Sequence, residues 1–299
     1  MRAIILCGPT ATGKSRVAIY IAEKIPVEIL SADSRLIYRE MNIGVDKPSL
    51  EERSKVPHWL IDMKNPDEEY SVAEYVKDFW ECFRLIAEKG KIPLVVGGTM
   101  LYIRAILSGY DFGKSPPKKE LRLKWMEEEK AHPGVLYQKL LKKNPERARQ
   151  LSPTDYPRII RALEMEHPPS TAPYPYPAEF TTFALVASRQ WLYQQINARV
   201  GRMVERGLRE EVESLFSRYS PASPAFRSHG YQEFIPFFEG EISWEKAVEL
   251  VKQHTRHHAK HQLTWLKQIP HIPINVEGKT PEAIADEIIA HFLRGQKSS

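Results

Sequence analysis

Five apolar residues, Ala3-Ile4-Ile5-Leu6-Cys7, run directly into Gly8-Pro9-Thr10-Ala11-Thr12-Gly13-Lys14-Ser15, and a helical pattern continues from Arg16 to Lys24. A strand, a G-x-x-x-x-G-K-S turn and a helix in that order confine the start of the chain to a phosphate-binding P-loop. Glycines let the turn point its backbone N–H groups inward around an anion, and the helix N-terminus adds a favourable dipole. Lys14 would reach outer phosphate oxygens, and Ser15 would hold Mg²⁺ through its hydroxyl. The motif alone does not say whether the phosphate belongs to a nucleotide or to another compound.

Beyond Lys24 the chain alternates strand and helix. Val27–Leu30 is a second strand, and Ser71–Lys89 is an amphipathic helix with Val72, Tyr75, Val76, Phe79, Phe83 and Ile86 on one side. Ile92–Val96 is a buried strand that ends at Gly97-Gly98-Thr99. This alternation predicts an α/β fold: a P-loop NTPase-like parallel sheet core. Ligands of such sheets sit beyond the carboxyl ends of the strands. The P-loop, Ser31-Ala32-Asp33-Ser34 and Gly97-Gly98-Thr99 should therefore meet at one cleft.

Composition shifts at Gly109–Pro117, and from Lys118 to His167 every element reads as helical. A Pro- and Tyr-rich connection, 168–177, precedes a resumed strand at Phe180–Ala187. The expected division is a core in two parts, 1–112 and 171–299, interrupted by a helical insertion domain at 113–170. The C-terminal region reads as helical over Trp191–Gly207, Leu208–Tyr219, Gln232–Phe238 and Ser243–Lys267.

A chain of 299 residues with 42% hydrophobic and 27% charged residues can bury a sizeable core. Two cysteines, Cys7 and Cys82, make neither a disulfide framework nor a Cys-rich zinc module, which fits a reducing compartment. The P-loop strand begins at once, leaving no room for a signal peptide. No apolar run approaches the roughly 20 residues of a membrane span, so a cytoplasmic protein is expected. The net charge of +5 permits a polyanionic partner. Positive charge is dense in Lys114–Lys143, at Arg158 and Arg161, and in Lys252–Lys267.

Several groups suit chemistry, and each also has a plain structural reading. Asp33, at a strand end, suits a general base or a magnesium ligand, or else an N-cap or Asx turn. Gly97-Gly98-Thr99 offers N–H groups and a hydroxyl to an anion, or is a generic turn. Arg158 and Arg161, three residues apart on a helix, suit phosphate-backbone contacts or a solvated face. His254, His257, His258 and His261 share a helical face; metal spacing is present, but Lys252, Arg256 and Lys260 intervene and favour a mildly basic surface. Arg227-Ser-His-Gly230-Tyr231 joins a cation, a glycine and an aromatic, or is a tight turn.

In this order and spacing, the chain resembles the tRNA dimethylallyltransferases, also called tRNA isopentenyltransferases. The resemblance is carried by Gly8–Ser15, Ser31-Ala-Asp-Ser-Arg-Leu-Ile-Tyr38, Met41-Asn-Ile-Gly44, Lys47-Pro48, His58-Trp-Leu-Ile-Asp62, Tyr70-Ser-Val-Ala-Glu74 and Gly97-Gly-Thr-Met-Leu-Tyr-Ile103. It continues through Asp155-Tyr-Pro-Arg-Ile-Ile-Arg-Ala-Leu-Glu164, Gly230-Tyr231, Thr255-Arg256, Ala259-Lys260, Gln262 and Thr264-Trp265. It implies transfer of a dimethylallyl group from dimethylallyl diphosphate to N6 of the adenosine 3′-adjacent to the anticodon of tRNA. The P-loop, Gly8, Pro9, Thr10, Ala11, Thr12, Gly13, Lys14 and Ser15, would then clamp a diphosphate leaving group with Mg²⁺ on Ser15. Asp33 would accept the N6 proton, with Thr99 and Arg227 as further catalytic groups.

The same resemblance assigns tRNA contacts to Asp33, Ser34, Arg35, Leu36, Arg122, Pro157, Arg158, Ile159, Ile160, Arg161, Gly230 and Tyr231, on an anticodon stem-loop whose target base is flipped out. It implies a monomer with no membrane partner. The chain departs from the family at 166–179, at Lys260-His261-Gln262, where Lys-Arg-Gln is usual, and at Lys267, where Arg is frequent. Competing readings are a small-molecule or nucleoside kinase, an adenylate isopentenyltransferase and a P-loop RNA-binding module without transfer chemistry.

Overall fold

The computed structural model of the chain describes residues 1–111, 118–165, 170–171 and 178–294. By compactness the chain divides into two units, Met1–Leu107 with Tyr174–Ser299, and Ser108–Pro173.

Strands β1 (Arg2–Cys7), β2 (Val27–Ser31), β3 (His58–Trp59), β4 (Ile92–Gly97), β7 (Glu179–Val186) and β8 (Ile272–Asn275) form the sheet of the larger unit, in the order β3-β2-β4-β1-β7-β8. Every adjacent pair is parallel. The central strand shows why the sequence reads as continuously apolar rather than alternating: both faces are covered. Ala3, Ile5 and Cys7 pack with Phe79, Tyr102 and Ile103 on one face. Ile4 and Leu6 pack with Val17, Ile21 and Ile288 on the other. The expected strands and helices are present, with the two-residue β3 and the edge strand β8 in addition. A final helix, Pro281–Arg294, also lies outside the expected set. Cys7, free and buried, has its thiol pushed up to about 12 by burial and is a core residue, not a nucleophile.

Register sets the site. Cys7 pairs with Gly97 and Ser31 with Val96, so β1, β2 and β4 end level and release their next loops at one edge. Two hydrogen bonds hold the β2 exit there. Ala32 N–H donates to Val96 O (2.8 Å), and the buried Tyr75 hydroxyl donates to Ser31 O (3.2 Å). Tyr75 comes from the helix Val72–Glu88, which starts on a complete Ser71–Glu74 capping box.

In the smaller unit, β5 (Tyr110–Asp111) and β6 (Ser170–Thr171) pair antiparallel. Helices Lys119–Ala131, Val135–Lys143, Pro145–Arg149 and Tyr156–Glu164 pack around Leu136, Leu140, Ala148, Ile159, Ile160 and Leu163. Apart from Ser170 and Thr171, the Pro- and Tyr-rich segment falls outside the described residues.

Candidate active site

The P-loop is built as its sequence requires. Gly13 stands at the N-cap of the helix Lys14–Lys24 with φ 82°, a left-handed conformation that side chains disfavour. Thr12 Oγ1 donates to Pro9 O (2.9 Å). Lys14 Nζ donates to Gly8 O (3.0 Å) and Pro9 O (2.7 Å). Burial lowers its pKa to about 8; Asp33 opposes that shift and Arg199 adds to it.

Beside it, Asp33 leads a tight turn in which its Oδ1 accepts from Arg35 N–H (3.0 Å). The Arg35 guanidinium stands 3.7 Å from the same oxygen. Burial alone would raise the Asp33 pKa; Arg35, the backbone N–H and Lys14 outweigh it and hold the carboxyl below its ordinary range. Asp33 is therefore ionised. Thr99 secures this turn instead of facing the cleft: its hydroxyl accepts from Ser34 N–H (3.0 Å) and donates to Ser34 Oγ (3.2 Å). The Thr99 N–H donates to Ala32 O (3.1 Å). Thr99, expected as a catalytic group, is placed as a positioning residue for the Asp33 turn.

Two residues without an assigned role complete the centre. Gln262, buried on the helix Trp244–Leu266, accepts from Thr10 N–H (2.9 Å) and donates to Gly98 O (2.8 Å), joining the P-loop to the β4 exit. A Cβ on Gly98 would stand 2.4 Å from Gln262 Nε2, so this bridge requires glycine. Arg199, on the helix Arg189–Glu205, donates to Thr10 Oγ1 and to Val45 O (3.0 Å). Its Nε lies 3.1 Å from Asp46 Oδ2 yet has no aligned hydrogen bond. A largely buried guanidinium lining the same cleft as Lys14 is suited to an anion. Thr10, Lys14, Ser15, Asp33, Arg199 and Gln262 all line one cleft of about 830 Å³.

Other expected site residues sit elsewhere. Tyr231 is fully buried, and its hydroxyl donates to Glu211 Oε1 (2.6 Å). A Cβ on Gly44 would meet its ring at 2.6 Å, and one on Gly230 would meet Gly44 O at 2.7 Å. Glu211 also accepts from the N–H groups of Asn42, Ile43 and Gly44. Gly230 and Tyr231, expected as RNA contacts, are buried and pack to fix loop 42–44. Arg227 is not among the cleft-lining residues; its side chain is 67% exposed and 3.6 Å from Glu69.

In the smaller unit, Ile159 and Ile160 are core residues, while Pro157 and Arg158 are exposed. Among the described residues, Arg158 pairs locally, with Asp155 (2.9 Å). Arg122 grips Glu164 through Nε (2.6 Å) and NH2 (2.7 Å). Arg161 also donates to Glu164 (3.3 Å).

The four-histidine face divides. His257 and His261 are exposed, whereas His254 and His258 turn inward. Burial, with Arg35 and His229 nearby, drives the His258 pKa down to about 3, so this ring is neutral. His258 is thereby withdrawn from the expected basic surface. Among the described residues, no helix is long and apolar enough to cross a membrane.

The family model described as IPP transferase matches residues 36–269. The chain is 42% identical to the tRNA dimethylallyltransferase of Pelotomaculum thermopropionicum, covering 95% of this chain and 94% of that one. Its fold is similar to the crystal structure of a tRNA isopentenylpyrophosphate transferase from Staphylococcus epidermidis, with TM-score 0.74, 32% identity, and 98% and 99% of the two chains covered. A eukaryotic dimethylallyltransferase acting on tRNA is similar at TM-score 0.80 and 25% identity, over 97% of this chain and 80% of that one.

Proposed function

The chain belongs to the IPP transferase family, and from that premise we propose that it transfers a dimethylallyl group from dimethylallyl diphosphate to N6 of the adenosine 3′-adjacent to the tRNA anticodon. The observation that carries the reading is the meeting of Lys14, Asp33 and Arg199 in one cleft. The family match begins at residue 36, so the P-loop and Asp33 rest on this geometry and on relatives matched over nearly the full chain.

In the reaction, the adenine N6 lone pair forms a bond to C1 of the allyl group while the C1–O bond breaks and diphosphate leaves. The N6 proton passes to the Asp33 carboxylate, ionised and within the cleft. P-loop N–H groups, Lys14 and Arg199 stabilise the charge that grows on the leaving group. The exposed Ser15 hydroxyl is a hard oxygen donor in the same cleft that would hold Mg²⁺, leaving the Asp33 carboxylate to take the proton. When bound, Mg²⁺ supplies neutralising charge to the diphosphate.

The target base leaves its stack to enter the cleft, while Arg158, exposed on the smaller unit, contacts RNA phosphates. We place the enzyme in the cytoplasm as a monomer. Incubation of unmodified tRNA with dimethylallyl diphosphate and Mg²⁺, and then nucleoside mass analysis, should show an adenosine that has gained a five-carbon unit. No gain overturns the reading. Faster prenylation of free AMP would instead assign an adenylate isopentenyltransferase, and phosphorylation by ATP a kinase.

A further inference from the structure

Away from the P-loop, the short helical turn Gln232–Phe234 and the helix Trp244–Leu266 bring two histidines onto one carboxylate. Glu233 has a fully buried side chain, and its Oε1 lies 2.8 Å from His254 Nδ1 and 3.7 Å from His229 Nδ1. Its Oε2 accepts from Gly230 N–H (2.9 Å), which turns the other oxygen toward the imidazoles. We propose that His229, Glu233 and His254 form a binding site for a divalent transition metal of the zinc class.

The three donor atoms lie within 4.8 Å of one another. One tetrahedral zinc, with bonds of about 2.0–2.2 Å, sets its ligand atoms about 3.4 Å apart. The two measured separations bracket that value, so small side-chain shifts complete the set. Two imidazoles and a carboxylate are the donors that zinc accepts and magnesium does not prefer. A buried carboxylate with a fixed outer oxygen is oriented as a ligand needs to be. His229 and His254 have side chains 34% and 37% exposed, giving the ion a way in.

Two contacts oppose the site, and both can yield. The Gln232 side chain makes the first: its Nε2 lies 3.0 Å from His229 Nδ1 and 3.4 Å from Glu233 Oε1 and must turn aside. Arg35 donates to His229 O (3.2 Å), but its guanidinium also faces Asp33. The His258 ring, 5.2 Å from that of His229, or a water is available as a fourth ligand. This set differs from the four-histidine spacing read in the sequence. Of its three proposed ligands only His254 belongs to that face, and the carboxylate comes from a separate segment.

The test uses tag-free, chelator-treated protein in excess Mg²⁺, which keeps the oxygen-donor P-loop position occupied. Zn²⁺ is titrated by calorimetry and Co²⁺ by visible absorption. A single ion should bind, with the Co²⁺ spectrum of a low-coordinate nitrogen and oxygen site. H229Q and H254Q keep a hydrogen-bonding group beside Glu233 but remove the imidazole, and each should weaken Zn²⁺ about tenfold or more. H257Q/H261Q should leave affinity unchanged. Wild-type affinity in H229Q and H254Q, no Zn²⁺ uptake over excess Mg²⁺, or loss of binding in H257Q/H261Q alone overturns the proposal.

Discussion

Asp33 in the larger unit and Glu164 in the smaller are both carboxylates held below their ordinary pKa by arginines and backbone N–H groups, against burial. Their surroundings differ in one respect. The Glu164 side chain is 0% exposed and receives Lys118 N–H, two donors of Arg122 and one of Arg161. The Asp33 side chain is 25% exposed and receives one backbone N–H, with Arg35 at 3.7 Å. Glu164 has its lone pairs filled by a closed set of donors; Asp33 keeps acceptor capacity facing a cleft. The same residue chemistry thus makes a closed clamp in one unit and, in the proposed reaction, a base in the other, and unfilled acceptor capacity separates the two.

The largest effect that breaks this comparison comes from Asp33. Asp33→Ala should lower single-turnover prenyl transfer by about 10²–10⁴-fold, the contribution of a positioned base, while tRNA binding persists. An intact rate at saturating tRNA would show that Asp33 is as structural as Glu164. Next comes Arg199. Arg199→Ala should lower kcat/KM for dimethylallyl diphosphate by roughly 10²–10³-fold, as for loss of a transition-state anion donor, with partial recovery in Arg199→Lys. Unchanged kinetics with only a lower melting temperature would reassign Arg199 to holding Val45 and Asp46.

The legibility of these groups in the sequence depends on the range of the contacts that define them. Strand, P-loop and helix are local, so Gly8–Ser15 was readable, and the level ends of β1, β2 and β4 came from the parallel-sheet rule. Asp33 stood out by its place at a strand end, but position alone left a base, a metal ligand and a turn equally open, and the family resemblance singled out the base. Arg199 was not readable, because its partners Thr10 and Val45 lie 189 and 154 positions away. One signal existed: Arg199 sits within the buried stripe Leu192, Ile196, Val200 and Met203 of its helix, where a cation needs a reason. Tyr231 differs in the opposite sense. The family resemblance assigned it a tRNA contact, and only the tertiary position of Glu211 shows that its buried hydroxyl already has a partner. Strand β8 was missed because just one of its four residues is buried, too little for a periodic pattern.

The third effect tests the closed site. Glu164→Ala should destabilise by about 1–3 kcal/mol, since it leaves Arg122 and Arg161 partly rehydrated and Lys118 N–H unpartnered, with little change in transfer per folded molecule. Thermal unfolding against pH gives the sign. Glu164 has a folded pKa below its ordinary 4.5, so its contribution is present above 4.5 and is lost as pH falls through the lower folded value. Glu164→Gln should flatten that acid limb. An equally steep limb in the variant would mean that Glu164 is not the group being titrated.

The smallest effect separates arginines that share the smaller unit. Arg158 has its side chain 63% exposed and, among the described residues, pairs with Asp155, so its charge is more open to an RNA phosphate than that of Arg122, which grips Glu164. Arg158→Ala should weaken tRNA binding several-fold at low salt and reduce the slope of log affinity against log salt by about one, without lowering the melting temperature. Arg122→Ala should do the reverse, lowering stability through Glu164 and leaving the salt slope nearly intact. Binding isotherms at three salt concentrations alongside melting curves distinguish the two. Matching salt slopes in both variants would dissolve the division between clamp and contact, because Arg122 would then be releasing as many counterions as the arginine that faces solvent.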